Sequence, residues 1–592
     1  MAESIISPDV FTRENDISFI QSQPLAAGAA FVGPTVKGPL EQPTVITSYS
    51  EYVRTFGTTL TSGSNNYEYL TSIAVRNYFS QGGNTALVTR VASGSQNYTA
   101  AESTFITPLT GSVAPFTLYT LGKGAMYNNA TGSSYTAAYE NSDGSLKSGS
   151  ADNLRWEISG VITGSGTFNL LIRQGDDNSK NKAVLETYSN VSLDPNSDRY
   201  IAKVIGDQYT TVSSESGNYY VSTVGEYPNR SKYVRAVVNR PTPNYLATDG
   251  ITINSGSDGI SYSNYLPAAN ATPAVSSGSF YNAVGSVPGN MKFFGEISGS
   301  TAVQGLNAAA YTKAISILSN KDDYQFNIIT VPGLTMDNST VSSVITNVIS
   351  LAEERGDCIA VVDPVGFGNG TGIIADVTSQ TVAKNSSYAA AYWPWVQVQS
   401  ETGKYVWVPA STLVPGVYAF TDNYKAPWFA PAGMIKGGLP GVVRVERKLS
   451  KANRDELYSN KVNPIATLSG QGIVILGQKT LQTKASALDR VNVRRLLIEL
   501  KKFIGDQAKN LLFEQNTGLT RNKFLSTVNP YLDSVVQREG LYAYRVVMDG
   551  NNNTADVIDR NQLVGQILIQ PTKTIEFVVL DFTIEPTGVA FS

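Results

Sequence analysis

Chemistry in this chain has to be built without histidine. The 592 residues contain none, which removes Ser-His-Asp and Cys-His arrangements, most zinc sites and the usual near-neutral proton shuttle. The one cysteine, Cys358 in GDCIAVVD, has apolar neighbours and reads as a buried strand residue rather than a nucleophile. Asp363 and Asp376 fall near strand ends and could supply the carboxylate pair of a glycosidase, but a chain of this length holds such pairs by chance. DDNSKN (176–181) lacks the spaced carboxylates and terminal bidentate Glu of a calcium loop and reads as a solvated turn. GNGTG (368–372) has neither the Walker lysine nor the dinucleotide spacing. The sequons at Asn97, Asn129 and Asn338 mean little without secretion. No catalytic, cofactor-binding or metal-binding constellation survives, and none is expected.

The element that organises the rest is DRVNVRRLLIELKKFIGDQAKNLLFEQNTG, 489–518. Val493, Leu497, Leu500, Ile504, Ala508 and Leu511 recur at steps of four and three, which places them on one apolar stripe. Asp489 is the expected N-cap and Gly518 the expected stop. Beyond the capping Asp489, the other faces carry Arg490, Arg494, Arg495, Lys501, Lys502 and Lys509 against only Glu499, Asp506 and Glu514. Such a face is either simply solvated or turned to an acidic partner.

Composition narrows the class. Charged residues make up 16%, below the ~25% of an average soluble protein. The net charge of −3 argues against a nucleic-acid binder, which is usually strongly basic. No run approaches ~18 apolar residues, so no membrane span is expected. MAESIISPDVF has no basic or apolar region of the kind a signal peptide needs. A polar, weakly charged, β-friendly chain suits a part of a large assembly better than a small enzyme.

Along the chain, 1–22 precede any core and read as a tail or as a strand lent to another sheet. Residues 23–99 alternate strand and helix as an α/β unit with a parallel sheet: a strand in AAGAAFVG, a strand at 44–47, helices at 50–56 and 67–79, and a strand at 85–92. From 100 to 300 helical periodicity fades into short alternating segments and polar loops such as 131–150, a β-rich peripheral insertion. The α/β texture returns over 301–475, with helices at 306–318 and 341–354 and buried strands at 326–333 and 358–364. Its aromatic and Pro-rich part from 386 reads as connections packed on the core. Residues 476–592 hold the organising helix, a second helix at 529–538 opened by Pro530, and strands at 541–549, 562–570 and 574–584. The last strand is apolar on both faces, with Ile575, Phe577 and Val579 on one and Val578, Leu580 and Phe582 on the other. It needs a partner at its edge.

Several segments together resemble the contractile tail sheath proteins of myovirus-type bacteriophages. FVGPTVKGP followed by TSYSEYVRTFG (47–57) is similar to the family's opening strand and helix. GTFNLLIRQGDDNSKNKAVLETYSNVSLDPNSDRYIAKVIGD (166–207) is similar to its middle motif. WFAPAGMIKGGLPGV, LYSNKVNPIATLSGQGIVILGQKTL and DRVNVRRLLIELKKFI resemble its C-terminal signature, in order. LGKGAMYNN (121–129) has Lys and Tyr where the family often has Pro and Trp.

The resemblance implies a multidomain α/β (α+β) fold. It would have a subtilisin-like α/β core, the β-rich insertion, a C-terminal sheath domain and extended terminal arms, 1–22 and 571–592. It implies no cofactor and no enzyme activity. Its partners would be the chain itself in a helical homopolymer, the tail tube protein, and baseplate and tail terminator proteins, without nucleic acid or membrane insertion. The virion tail would be its location, after assembly in the host cytoplasm. Val10, Phe11, Ile17, Ile575, Phe577, Val579 and Phe582 become candidates for strand exchange between subunits. Arg490, Arg494, Arg495, Lys501 and Lys502 become candidates for the face toward the tube. Two other readings are the sheath of a phage-derived bacterial injection system and a polysaccharide-degrading enzyme on a virion.

Overall fold

The computed structural model describes residues 27–62, 65–92, 98–133, 139–215, 217–269, 278–284, 308–368, 374–468, 470 and 472–576. The architecture is mixed α/β. Its centre is an eight-stranded sheet in the order Thr44–Ile46, Ala86–Arg90, Ala27–Gly33, Phe326–Thr335, Ile359–Asp363, Ala389–Trp393, Val462–Leu468 and Gly472–Ile475. Neighbours run parallel except at the two outer strands, which are antiparallel. Ala27–Gly33 therefore pairs with a strand almost 300 positions away in sequence, Ala29 lying opposite Ile328.

Small and apolar residues fill both faces of that strand. Ala29 and Phe31 enter one core, with helices Leu70–Ser80 and Val414–Tyr424. Ala30 and Val32 enter the other, with helices Ala308–Ile317 and Ser342–Arg355. Burial on both faces is what a parallel sheet covered by crossover helices requires, and it explains the continuous apolar runs. Gly356, with φ of 68°, ends the helix Ser342–Arg355 in a left-handed cap open to glycine. Cys358 is fully buried, and burial pushes its thiol well above the usual range, so it is inert.

Several expectations are corrected. Thr44–Ile46 joins the sheet antiparallel, at an edge. Thr59–Ser62 pairs antiparallel with Asn65–Glu68, so the helix begins at Leu70 rather than Tyr67. The stretch from 386 is more than connection. It gives the sheet Ala389–Trp393 and Val462–Leu468, and places Val396–Gln399 between Tyr405–Val408 and Val442–Val445 in a small antiparallel sheet. AAAYW is buried throughout, so it shows no alternation by which a strand could be read.

Between residues 100 and 284 a four-stranded and a three-stranded sheet enclose a core of their own. Phe116 and Phe168 stack there at 5.5 Å between ring centroids. Two readings fail at its margin. Asp177, expected in a solvated turn, is buried between Arg155 Nη1 (3.0 Å) and Arg173 Nε (2.7 Å). The expected exposed loop 131–150 is not simply exposed over its described residues 139–150, because Leu146 is buried and Glu140 pairs with Arg155 at 2.6 Å.

In the C-terminal region Leu496, Leu500, Phe524, Val528, Leu532, Val535, Leu541 and Trp428 share a further core. The organising helix is shorter than expected, Val491–Lys509, with Arg490 rather than Asp489 at its N-cap. A 3-10 turn, Ala487–Asp489, capped by Ser486, uses the residues in front of it. Gly518 opens the next helix, Gly518–Gln537, because the Thr517 side chain accepts from the Thr520 N–H. Pro530 lies inside this second helix, not at its start. Phe524, Val528, Leu532 and Val535 form one buried stripe across the proline. Burying four such side chains, each worth about 1.5–3 kcal/mol, outweighs the ~3 kcal/mol cost of an interior proline.

Candidate assembly surface

The helix Val491–Lys509 turns its arginines inward. Arg495 is buried and its Nη2 donates to both carboxylate oxygens of Asp422, at 2.6 and 2.5 Å, while its guanidinium lies 4.6 Å from the Tyr418 ring centroid. Burial works against the Arg495 charge, and the Asp422 carboxylate outweighs it, raising the Arg495 pKa. Arg494 is also buried. Its guanidinium stacks 4.0 Å from the Tyr388 ring centroid and donates to Ser387 Oγ. Burial lowers its pKa against the pull of the tyrosine. Arg490 pairs with Asp489 at 2.9 Å and with Glu576 at 2.7 Å.

The expected basic face is thus largely consumed within the subunit. Lys501 stays exposed, its Nζ donating to Tyr388 Oη at 3.3 Å. Lys502 is half-buried at a recess shared with Asp422 and Asn423. Basic residues outnumber acidic ones along the helix, so sequence alone could not show which cations find partners elsewhere in the chain. Asp422, Tyr388, Glu576 and Tyr458 come from distant segments, and no spacing links them to the helix.

Of the candidates for strand exchange, Val10, Phe11, Ile17, Phe577, Val579 and Phe582 lie outside the described residues. Ile575 is described and exposed. The described part of the expected strand 574–584, Thr574 to Glu576, has no strand pairing; the last strand described is Gln566–Pro571, paired with Leu541–Val547. Glu576 is held by side chains of its own subunit. The two carboxylates noted near strand ends differ in setting: that of Asp363 is buried and accepts from the Ser411 N–H (3.0 Å) and hydroxyl (2.5 Å), whereas Asp376 is exposed on the helix Ile374–Val382. Among the described residues no group of three or more His, Cys, Asp or Glu is placed to hold a metal ion.

What the geometry offers, then, is a set of packed hydrophobic cores in which the helix Val491–Lys509 is tied to the rest of the chain by buried arginines. Residues 304–481 match the central domain of phage tail sheath proteins, and residues 483–585 match the phage tail sheath C-terminal domain. The resemblance to contractile tail sheath proteins therefore holds, in both domains and in order. More particularly, the tail sheath protein of Vibrio phage KVP40 is 33% identical over 299 residues, 47% of this chain and 45% of that protein. That of Enterobacteria phage T4 is 33% identical over 273 residues, 43% of this chain and 40% of that protein. The chain spans less than half the length of these curated relatives. A sheath tail protein from Listeria innocua aligns in structure over 93% of this chain and 96% of its own, with 9% identity and a TM-score of 0.48. The contracted helical sheath of the anti-feeding prophage aligns over 98% and 99%, with 15% identity and a TM-score of 0.45.

Proposed function

We propose that the chain is a structural subunit of a contractile tail sheath, which polymerises helically around an inner tube and contracts to drive that tube through a host envelope. One observation carries this: two consecutive tail sheath domains, with relatives at 33% identity that are themselves tail sheath proteins. Open helical growth needs heterologous contacts that do not close. In this reading the extended lattice is metastable and contraction moves it to one with more contact, the chain's arms keeping neighbours linked.

The partners would be further copies of the chain, the tail tube, the baseplate and the tail terminator, within a virion tail assembled in the host cytoplasm. The role is structural rather than enzymatic. The eight-stranded sheet would be the subtilisin-like core, built from 23–99 and 301–475 around a peripheral insertion at 100–300. The C-terminal sheath domain would be 476–592. The separate hydrophobic cluster between Ala101 and Ala283 supports the insertion as a unit of its own, whereas the clusters of the core and the C-terminal region share residues across 475/476.

Residues 1–22 and 571–592 would be the arms exchanged between subunits by adding strands to neighbouring sheets, each backbone hydrogen bond contributing ~1 kcal/mol net. The test is electron microscopy of the full chain beside a chain lacking residues 1–18. The expected outcome is helical tubes from the first and folded, unassembled subunits from the second. Ordinary tubes from the truncated chain would remove strand exchange at the N-terminus, and no tubes from the full chain under any assembly condition would remove the sheath reading.

A further inference from the structure

The segment after the last hairpin strand is tied to the body by hydrogen bonds at Thr572, Thr574 and Glu576, most of them at Glu576. Past Pro571, the Thr572 N–H donates to the Gly540 carbonyl at 3.2 Å, and the chain then leaves the hairpin. At Glu576 it meets three separate elements. Arg490 donates through Nε to Oε1 at 2.7 Å and through Nη2 to Oε2 at 3.0 Å. Tyr458 Oη, from the helix Lys451–Ser459, donates to Oε2 at 2.9 Å. Gln478 Nε2 donates to Oε1 at 3.2 Å and also to Thr574 Oγ1 at 2.5 Å. Burial acts to raise the Glu576 carboxyl, but hydrogen bonds from Arg490 and Tyr458 outweigh it and hold the carboxyl below its usual range.

Apolar packing does not explain the docking. Ile575, the residue before the carboxylate, is 85% exposed. Thr574, Ile575 and Glu576 instead line an open recess of about 360 Å³ together with Lys451, Arg454 and Tyr458. The hold is therefore polar, directional and concentrated on one side chain. A bidentate guanidinium with two further donors fixes orientation as well as distance.

We infer that Glu576 is a latch: gripped by Arg490, Tyr458 and Gln478, its carboxylate pins Thr572–Glu576 to the subunit's own body and sets where the C-terminal arm departs. This rests on the reading of 571–592 as an arm. Unlatched, the five residues from Thr572 could swing over roughly 17 Å when extended. Fixing the root confines the arm to a small volume, which raises its effective concentration at one neighbour and lowers it elsewhere. Glu576 and Arg490 are positioning residues, and the partner they position the arm for is a second copy of this chain.

The experiment places a nitroxide on Ile575→Cys in the unassembled full chain; buried Cys358 leaves this the one accessible thiol among the described residues. Electron paramagnetic resonance should show a restricted label in this parent. Glu576→Gln and Arg490→Ala should each shorten its correlation time several-fold, Arg490→Lys should restore part of the restriction, and the melting temperature should stay close to the parent's. An unchanged lineshape in Glu576→Gln overturns the latch. Sedimentation of the same proteins under assembly conditions is scored separately. Failure of the parent to assemble counts against the sheath reading and leaves the latch standing on its lineshape.

Discussion

Arg495 and Asp422 form an ion pair that links the helix of the C-terminal region to the sheet-bearing core. Arg495 lies on the helix Val491–Lys509 and Asp422 on the helix Val414–Tyr424, with 2.5 Å between Nη2 and Oδ2. The guanidinium side is almost fully enclosed while the carboxylate keeps some contact with solvent. Removing Arg495 leaves the partly exposed Asp422 carboxylate without its partner and empties the enclosed guanidinium site, so Arg495→Ala should cost about 2 kcal/mol of stability. Denaturant unfolding measures this, and a loss below ~1 kcal/mol would show the pair to be no more than a surface contact.

The inward arginines change which residues are worth testing against a tube. Reversing Lys501 and Lys502 to Glu should weaken cosedimentation with tubes and flatten its dependence on salt, because salt acts on screened charge pairs. Assembly without a tube should persist. Arg494→Glu should instead lower folding stability, since its guanidinium stacks on Tyr388 inside the subunit. Unchanged tube binding by the lysine double variant at low salt would reduce those side chains to solvated ones.

Asp177 anchors a buried network at the margin of the region between residues 100 and 284, where Arg155 and Arg173 are both fully enclosed. Asp177→Ala leaves two buried guanidinium groups short of their shared carboxylate and should destabilise this region by roughly 3 kcal/mol or more. Trp156, buried in the same core, gives a fluorescence signal for its unfolding. A midpoint unchanged from the parent would contradict the network's role.

Asp363 gives stability a pH dependence of definite sign. Burial pushes its carboxyl up to about 7, against the lowering effect of the two hydrogen bonds from Ser411. With a raised value, the folded chain keeps a proton that the unfolded chain has lost. Stability attributable to this group should therefore fall as pH rises from the ordinary carboxylate range, about 4, to about 7, by up to ~1.4 kcal/mol per pH unit, and level off above. Asp363→Asn should remove that slope. Urea midpoints between about pH 5 and pH 8 test it, and identical slopes in the two proteins would refute it.

Some of this protein was determined by sequence alone. The lack of histidine fixed what chemistry the chain does not do, and the apolar runs at 326–333 and 358–364 announced strands covered on both faces. The apolar stripe announced a packed helix, but the core takes Leu496 and Leu500 with Ile504 and Leu511 beside them, while Leu497 stays half-buried and Ala508 exposed. These are local signals, because each follows from the period with which a helix or strand exposes its side chains. Tertiary structure decided the rest. Whether Pro530 opened a helix or sat within one depended on a buried stripe formed by its neighbours' packing. Whether Arg490, Arg494 and Arg495 faced a partner or their own chain depended on Glu576, Tyr388 and Asp422, which reach them only through the fold. A charge on a helix has a legible position in the sequence, but the energy of placing it is set by desolvation and by which opposite charge the fold brings within a few ångströms.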